Sequence, residues 1–91
     1  MNQYKVLANA VIVQAATDYR AARRALKKCA LKAEYTKNIS RAELAKLETK
    51  MRTCRRMIRD VERFFRSSWF TMLSDADGRQ ILTELQKEVI R

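Results

Sequence analysis

The sequence predicts an all-α fold, a long antiparallel helical hairpin of coiled-coil type. A short C-terminal helix is expected to pack at its open end, giving three to four helices. The chain has no proline and one glycine, so it lacks the turn residues that an all-β protein needs. Its apolar residues recur in steps of three and four over two long stretches, as on one face of a helix. Its 91 residues suit a single helical domain spanning residues 1–91.

The first helix is expected over about residues 4–35. An apolar seam defines it: Tyr4, Ala8, Val11, Ala15, Tyr19, Ala22, Leu26, Cys29 and Ala33. The stretch Val6–Ala16 within it is expected to be the buried half of this helix. It is too short for a membrane span of about 20 apolar residues. A signal peptide with Lys5 before its apolar run is the less favoured interpretation.

The second helix is expected over about residues 41–66. Ser40 and Glu43 have the spacing of a capping box, and Ile39 and Leu44 stand at the positions of a hydrophobic staple. The helix carries its own apolar seam: Leu44, Leu47, Met51, Cys54, Ile58, Val61 and Phe65. Because the connection between the two helices is so short, the second must fold back antiparallel on the first.

Two further helices are expected, over about residues 69–73 and 75–90. Trp69 and Phe70 are expected in the core at the open end of the hairpin. The alternative for them is an anchor for a partner, since tryptophan is enriched in binding hot spots. Ser74 with Asp77 is the expected cap of the last helix.

The cysteine content predicts a reducing compartment. Two cysteines are too few for a secreted disulfide scaffold, which favours a cytoplasmic protein. Cys29 and Cys54 both fall on the seams, where cysteine is ordinarily a small buried hydrophobic residue. We therefore expect structural cysteines, neither reactive nor paired in a disulfide.

The composition argues against an enzyme. There is no histidine, which removes the commonest general base and the commonest metal ligand. A single glycine excludes phosphate loops and dinucleotide fingerprints. Taken together, the missing histidine and the single glycine lead us to expect no catalytic residue, metal or cofactor. Asp75, Asp77 and Gly78 superficially resemble a calcium loop, but Leu73 would occupy its first ligand position and cannot coordinate. A helix cap is the better interpretation.

Positive charge is concentrated in the middle of the chain. The sequence has 20 basic and 10 acidic residues, for a net charge of +10. Between Arg20 and Arg66 there are 16 basic and 5 acidic residues, whereas residues 1–19 and 67–91 carry net charges of zero and −1. Such a field is typical of proteins that bind nucleic acid, an anionic membrane or an acidic protein partner.

The candidate binding residues flank the two seams. They are Arg20, Arg23, Arg24, Lys27, Lys28, Arg52, Arg55, Arg56, Arg59 and Arg63. Arginine suits bidentate contacts with phosphate, so nucleic acid is the first hypothesis for the partner. No aromatic residue interleaves the basic run and no helix-turn-helix spacing is visible. This favours recognition of the backbone of duplex DNA or structured RNA.

Three alternatives remain open. The same residues could bind an acidic or nucleoprotein partner, as in a protein-directed inhibitor of a host-defence complex (anti-CRISPR-like). They could also form a solvated face that only keeps the protein soluble. Finally, two copies could form an antiparallel four-helix homodimer that buries the flanks of the seams.

One stretch resembles the C-terminal signature of small proteins encoded by bacterial prophages and integrative elements. The matching positions are residues 62–70 (Glu-Arg-Phe-Phe-Arg-Ser-Ser-Trp-Phe), Leu73, residues 75–78 (Asp-Ala-Asp-Gly) and Ile81, within residues 62–85. The resemblance implies a mobile-element origin and a cytoplasmic setting in a bacterial host cell. It implies no activity and no site residues. Accessory proteins of such elements tend to regulate element genes or to block host nucleases.

Overall fold

The structure, a computed structural model, describes residues 3–90. This part of the chain forms four α-helices and no strand: α1 (Gln3–Tyr35), α2 (Arg41–Arg66), α3 (Ser68–Leu73) and α4 (Gly78–Lys87). Helices α1 and α2 pack together as the long hairpin. The predicted all-α hairpin with short C-terminal helices is confirmed.

The turn of the hairpin is defined by local chemistry. Asn38 adopts a left-handed conformation with φ of 59°, which asparagine tolerates better than most residues. Ser40 then caps α2, because its Oγ accepts a hydrogen bond of 3.1 Å from the backbone N of Glu43. The chain measures 56 × 22 × 21 Å. Its radius of gyration is 16.3 Å, against the about 12 Å of a compact chain of this length, so the molecule is a rod.

The core lies in the half of the rod that contains the open end of the hairpin. It gathers buried residues from all four helices: Tyr19, Val61, Phe65, Phe70, Leu82 and Leu85. The rings of Phe64, Phe65 and Phe70 form an aromatic cluster with centroids 5.3–5.5 Å apart. Beyond Lys27, towards the turn, the rod consists of α1 and α2 alone.

Ser67 joins α2 to α3. Its Oγ donates to the carbonyl of Phe64 at 2.7 Å and accepts from the backbone N of Phe70 at 3.1 Å. Phe70 is buried, with 1% of its surface exposed, as predicted. The same expectation was wrong for Trp69, which is 59% exposed. Adjacent residues of a helix point about 100° apart. Because the ring of Phe70 points into the core, the ring of Trp69 points away from it.

The start of α4 differs from the prediction. The helix begins at Gly78 rather than near residue 75, and its cap is Asp77. One carboxylate oxygen of Asp77 accepts from the backbone N atoms of Arg79 and Gln80 at 3.0 and 3.2 Å. Ser74 ends α3 instead, where its backbone N donates to the carbonyl of Phe70.

Gly78 is required by the close approach of two helices. A Cβ at this position would lie 2.2 Å from the carbonyl oxygen of Phe65 and 2.8 Å from the ring of Phe70. The first of these atoms belongs to the backbone and cannot rotate away. Only glycine therefore allows α4 to start against the C-terminal end of α2.

The expected burial of Val6–Ala16 is largely wrong. Leu7 and Val13 are 67% and 64% exposed, and Val11 is also exposed, whereas Ala8 is buried. The reason is that α4 and the residues after it bind α1 through Arg20, Arg23 and Lys27, which follow this stretch, so the outward sides of Leu7, Val11 and Val13 stay exposed. Within the described residues, none of the helices combines the length and apolar character needed to cross a membrane.

The cysteines match the prediction. Cys29 and Cys54 are both buried in the seam between α1 and α2. Both thiols are free. They pack as small hydrophobic residues in the two-helix part of the rod.

Candidate nucleic-acid interface

Seven basic residues share one side of the hairpin. Each stands one position after a seam residue, so helical periodicity places them on the same flank of the seam. We call this side the basic face: Arg20, Arg23 and Lys27 of α1 with Arg52, Arg55, Arg59 and Arg66 of α2. Of the other predicted residues, Arg24, Arg56 and Arg63 point further outward, and Lys28 lies on the opposite flank.

The C-terminal end of α4 lies over the groove between the two halves of the basic face. Glu62 of α2 marks the contact, because one oxygen of its carboxylate accepts two hydrogen bonds. One comes from the hydroxyl of Tyr19 on α1 at 3.0 Å, and the other from the amide of Gln86 on α4 at 3.1 Å. Three helices therefore meet at a single side chain.

Arg20, Arg23 and Lys27 bind the end of α4, and we call them the carboxyl clamp. Arg20 forms a bidentate ion pair with Glu88, with both N–O distances 2.8 Å. Arg23 donates to the backbone carbonyls of Leu85 at 2.6 Å and Gln86 at 3.4 Å. It also lies over the ring of Tyr19, 5.5 Å from the centroid.

The clamp also extends past the helix. Lys27 donates to the backbone carbonyl of Ile90, beyond the last turn of α4. The final carbonyls of a helix lack partners within the helix and carry its partial negative charge. Arg23 supplies a donor for two of these carbonyls, and all three cations lie at the negative end of the helix. Three of the predicted binding residues thus have a role in folding that the sequence analysis missed.

The arginines of α2 are in a different situation. We call Arg52, Arg55, Arg56, Arg59, Arg63 and Arg66 the arginine stripe. All of them are exposed, and within residues 3–90 none of their side chains makes a hydrogen bond or an ion pair. Arg59, Arg63 and Arg66 border a shallow depression that also includes Glu62 and Ser67. Arg66 was not among the predicted site residues, although its spacing continues the stripe.

Two predicted residues of α1 stay outside both groups. Arg24 and Lys28 are exposed and border a shallow depression together with Lys27 and Leu31. In the described part of the chain neither makes a hydrogen bond or an ion pair. They remain available to a ligand on the outer side of α1.

The pKa shifts follow the contacts of the clamp and of Glu62. Burial, reinforced by the hydrogen bond to Glu62, raises the pKa of Tyr19 above its usual value. The hydrogen bonds from Arg20 lower the pKa of Glu88, and the same contact raises that of Arg20. All three shifts belong to contacts within the fold.

Known proteins give no guide to this surface. Comparison of the chain with protein-family models, curated proteins and solved structures gives no match. Among the described residues, no group of three or more histidine, cysteine or acidic side chains is placed to hold a metal ion. The charge and geometry of the arginine stripe therefore carry the functional argument.

Proposed function

We propose that this chain is a non-enzymatic protein that binds nucleic acid by its phosphates through the arginine stripe of α2. The observation that carries the proposal is the density of exposed arginines without acidic partners in residues 3–90. Like charges packed at helical spacing repel one another and lower stability. A polyanion laid along the stripe would remove that repulsion.

The length of the stripe suits a phosphate backbone. From Arg52 to Arg66, α2 rises about 21 Å at 1.5 Å per residue. Duplex DNA carries one charge per about 3.4 Å of axis on each strand, so the stripe is as long as about six phosphates of one strand. The seam with α1 fixes the helix backbone that carries the arginines, so only their side chains have to be ordered on association.

The nature of the stripe favours a duplex or a structured RNA over a single strand. Binding of single strands relies on aromatic side chains on which bases stack. Phe65 is buried behind the stripe, and Phe64 packs within the aromatic cluster. The stripe therefore offers charge and bidentate donors without a stacking surface, as expected for contacts with phosphate.

The carboxyl clamp is secondary in this proposal. Arg20, Arg23 and Lys27 already bind carboxylate and carbonyl oxygens of the chain itself. A phosphate would have to compete with those contacts. Arg24 and Lys28 have no such competitor and extend the basic surface along α1.

The test is a fluorescence anisotropy titration with labelled duplex DNA and a labelled RNA hairpin, between about 50 and 200 mM salt. The variant Arg55→Gln/Arg56→Gln is compared with Lys5→Gln/Lys37→Gln, which loses the same charge away from the stripe. We expect the stripe variant to bind about tenfold more weakly and to reduce the slope of log K against log salt by about 2. The control should change little.

Equal losses of affinity in the two variants would contradict the proposal, because they would show that the nucleic acid responds only to the total charge of the protein. That result would favour a protein with an acidic groove as the partner. If such a protein is captured from lysate and stays bound after nuclease treatment, that result would support the inhibitor alternative.

A further inference from the structure

The side of the hairpin opposite α4 is exposed and partly apolar. We call it the open face; its residues on α1 and α2 each stand one position before a seam residue or, like Val11, on the seam. On α1 they are Leu7, Val11, Gln14, Asp18, Ala21, Ala25, Lys28 and Lys32, and on α2 they are Lys46, Lys50, Thr53, Met57, Asp60 and Phe64. Trp69 of α3 belongs to the same side, because it lines one depression together with Val11, Asp18, Asp60 and Phe64.

Large apolar side chains are exposed on the open face. Leu7, Val11, Met57 and Trp69 are all large and exposed. On the opposite flank α4 buries Leu82 and Leu85 against the hairpin, whereas on the open face, within residues 3–90, only the ring of Trp69 from α3 lies beside that of Phe64, with the centroids 6.1 Å apart. A contiguous apolar patch on a small protein marks an interaction site.

The charges of the open face are arranged in a complementary way. Asp18 and Asp60 lie together at the rim of the apolar depression, one on each helix. Lys28 stands ten positions after Asp18, and Lys50 stands ten positions before Asp60. Because the helices are antiparallel, both lysines lie about 15 Å closer to the turn than the aspartates.

This pattern is self-complementary. A two-fold axis that lies in the plane of the face and perpendicular to the helices, halfway between the acidic and the basic pair, brings the aspartate pair of each copy against the lysine pair of the other. The residues around that axis are Ala21 and Ala25 on α1, and Thr53 and Met57 on α2. The two alanines allow the helices of two copies to approach closely.

We propose that the open face binds a second copy of this chain, forming an antiparallel four-helix dimer around Ala21 and Ala25. The molecule measures 56 × 22 Å in its two longest directions, which leaves room for the about 800 Å² per partner of a standard interface. The end of the hairpin near the turn of each copy lies over Trp69 of the other copy. The arginine stripe is left exposed on both copies, so dimer formation and binding of nucleic acid by the stripe can be measured separately; only Lys28 takes part in both proposals.

The first experiment measures the mass in solution by light scattering at about 100 μM, where a dimer with a micromolar Kd is largely formed. The mass should be that of a dimer. The fluorescence of Trp69, the one tryptophan, should shift to shorter wavelength as the concentration rises. A monomer at this concentration overturns the proposal and leaves the face to a different protein.

The second experiment tests the charge pairing. Asp18→Lys/Asp60→Lys should be monomeric, and adding Lys28→Asp/Lys50→Asp to the same chain should restore the dimer. The control Glu48→Lys/Asp75→Lys changes the charge equally off the open face and should remain dimeric. Circular dichroism confirms that each variant is folded. A folded four-site variant that stays monomeric overturns the proposed arrangement.

Discussion

The two flanks of the hairpin differ in what covers them. On one flank Arg20, Arg23 and Lys27 bind the end of α4, whereas on the other flank Leu7, Val11 and Met57 are exposed. Composition alone suggests the reverse, with charge in solvent and apolar residues under a helix. The difference shows that a cation can belong to the fold when backbone carbonyls need a partner. The exposed apolar face is the reason for the proposal that a second copy binds there.

The adjacent aromatic residues of α3 give the strongest test of this comparison, since Phe70 points into the core and Trp69 to the open face. Phe70→Ala should lower the free energy of unfolding by about 3–5 kcal/mol, because it removes a ring at the centre of the aromatic cluster. Trp69→Ala, on a side chain that is 59% exposed, should cost less than about 1 kcal/mol per monomer. Urea unfolding of dilute, monomeric protein measures both. Equal losses would show that Trp69 is part of the core after all.

Two neighbouring arginines separate the clamp from the free surface. Arg23→Gln should lower the free energy of unfolding by about 1–2 kcal/mol, because the carbonyls of Leu85 and Gln86 lose a charged donor. Arg24→Gln should change it by less than about 0.5 kcal/mol, as is usual for an exposed side chain. Hydrogen exchange should show faster opening of α4 in the first variant only. If both variants exchange alike, the clamp does not hold α4.

The smallest expected effect is the pH dependence of the pair between Arg20 and Glu88. The folded-state pKa of Glu88 is lowered, so its ionised form stabilises the fold above the unfolded pKa of about 4.3. This contribution is lost as the pH falls through the folded pKa. The unfolding midpoints of the wild type and Glu88→Gln should therefore differ at neutral pH and converge in acid.

The matched control for the pH experiment is Glu48→Gln, an exposed carboxylate of α2 for which the described residues offer no ion pair. Its midpoint should follow that of the wild type at every pH. A difference between wild type and Glu88→Gln that persisted unchanged in acid would exclude the ion pair as its cause.

The hairpin could be predicted because its determinants are local or periodic. The capping box at Ser40 and the regular seams determine where α1 and α2 begin and which side of each faces the other. The orientation of Trp69 could not be predicted, because α3 has six residues and is too short to show the periodicity of apolar residues that marks a buried face. The start of α4 was misplaced because Ser74 and Asp77 both have cap chemistry, and only the approach of Gly78 to Phe65 decides between them.

The candidate site could be predicted only in part. The sequence places the arginines of α2 on one exposed stripe, since spacing alone defines a helix face. It does not show that Arg20, Arg23 and Lys27 bind the end of α4, because two of them bind backbone oxygens, which leave no mark in a sequence. Among the contacts of the clamp, the ion pair between Arg20 and Glu88 alone joins two side chains, so it is the one contact that charge patterns in a sequence can indicate.

That two of the three clamp residues bind the main chain has a consequence for how this end of the protein tolerates change. Every amino acid carries a carbonyl oxygen, so the acceptor that Lys27 finds after α4 survives substitution of Ile90, which supplies it. It does not survive deletion. The segment after α4 should accept many sequences but few shorter lengths, with position 88 as the one place where the identity of the side chain matters to the clamp.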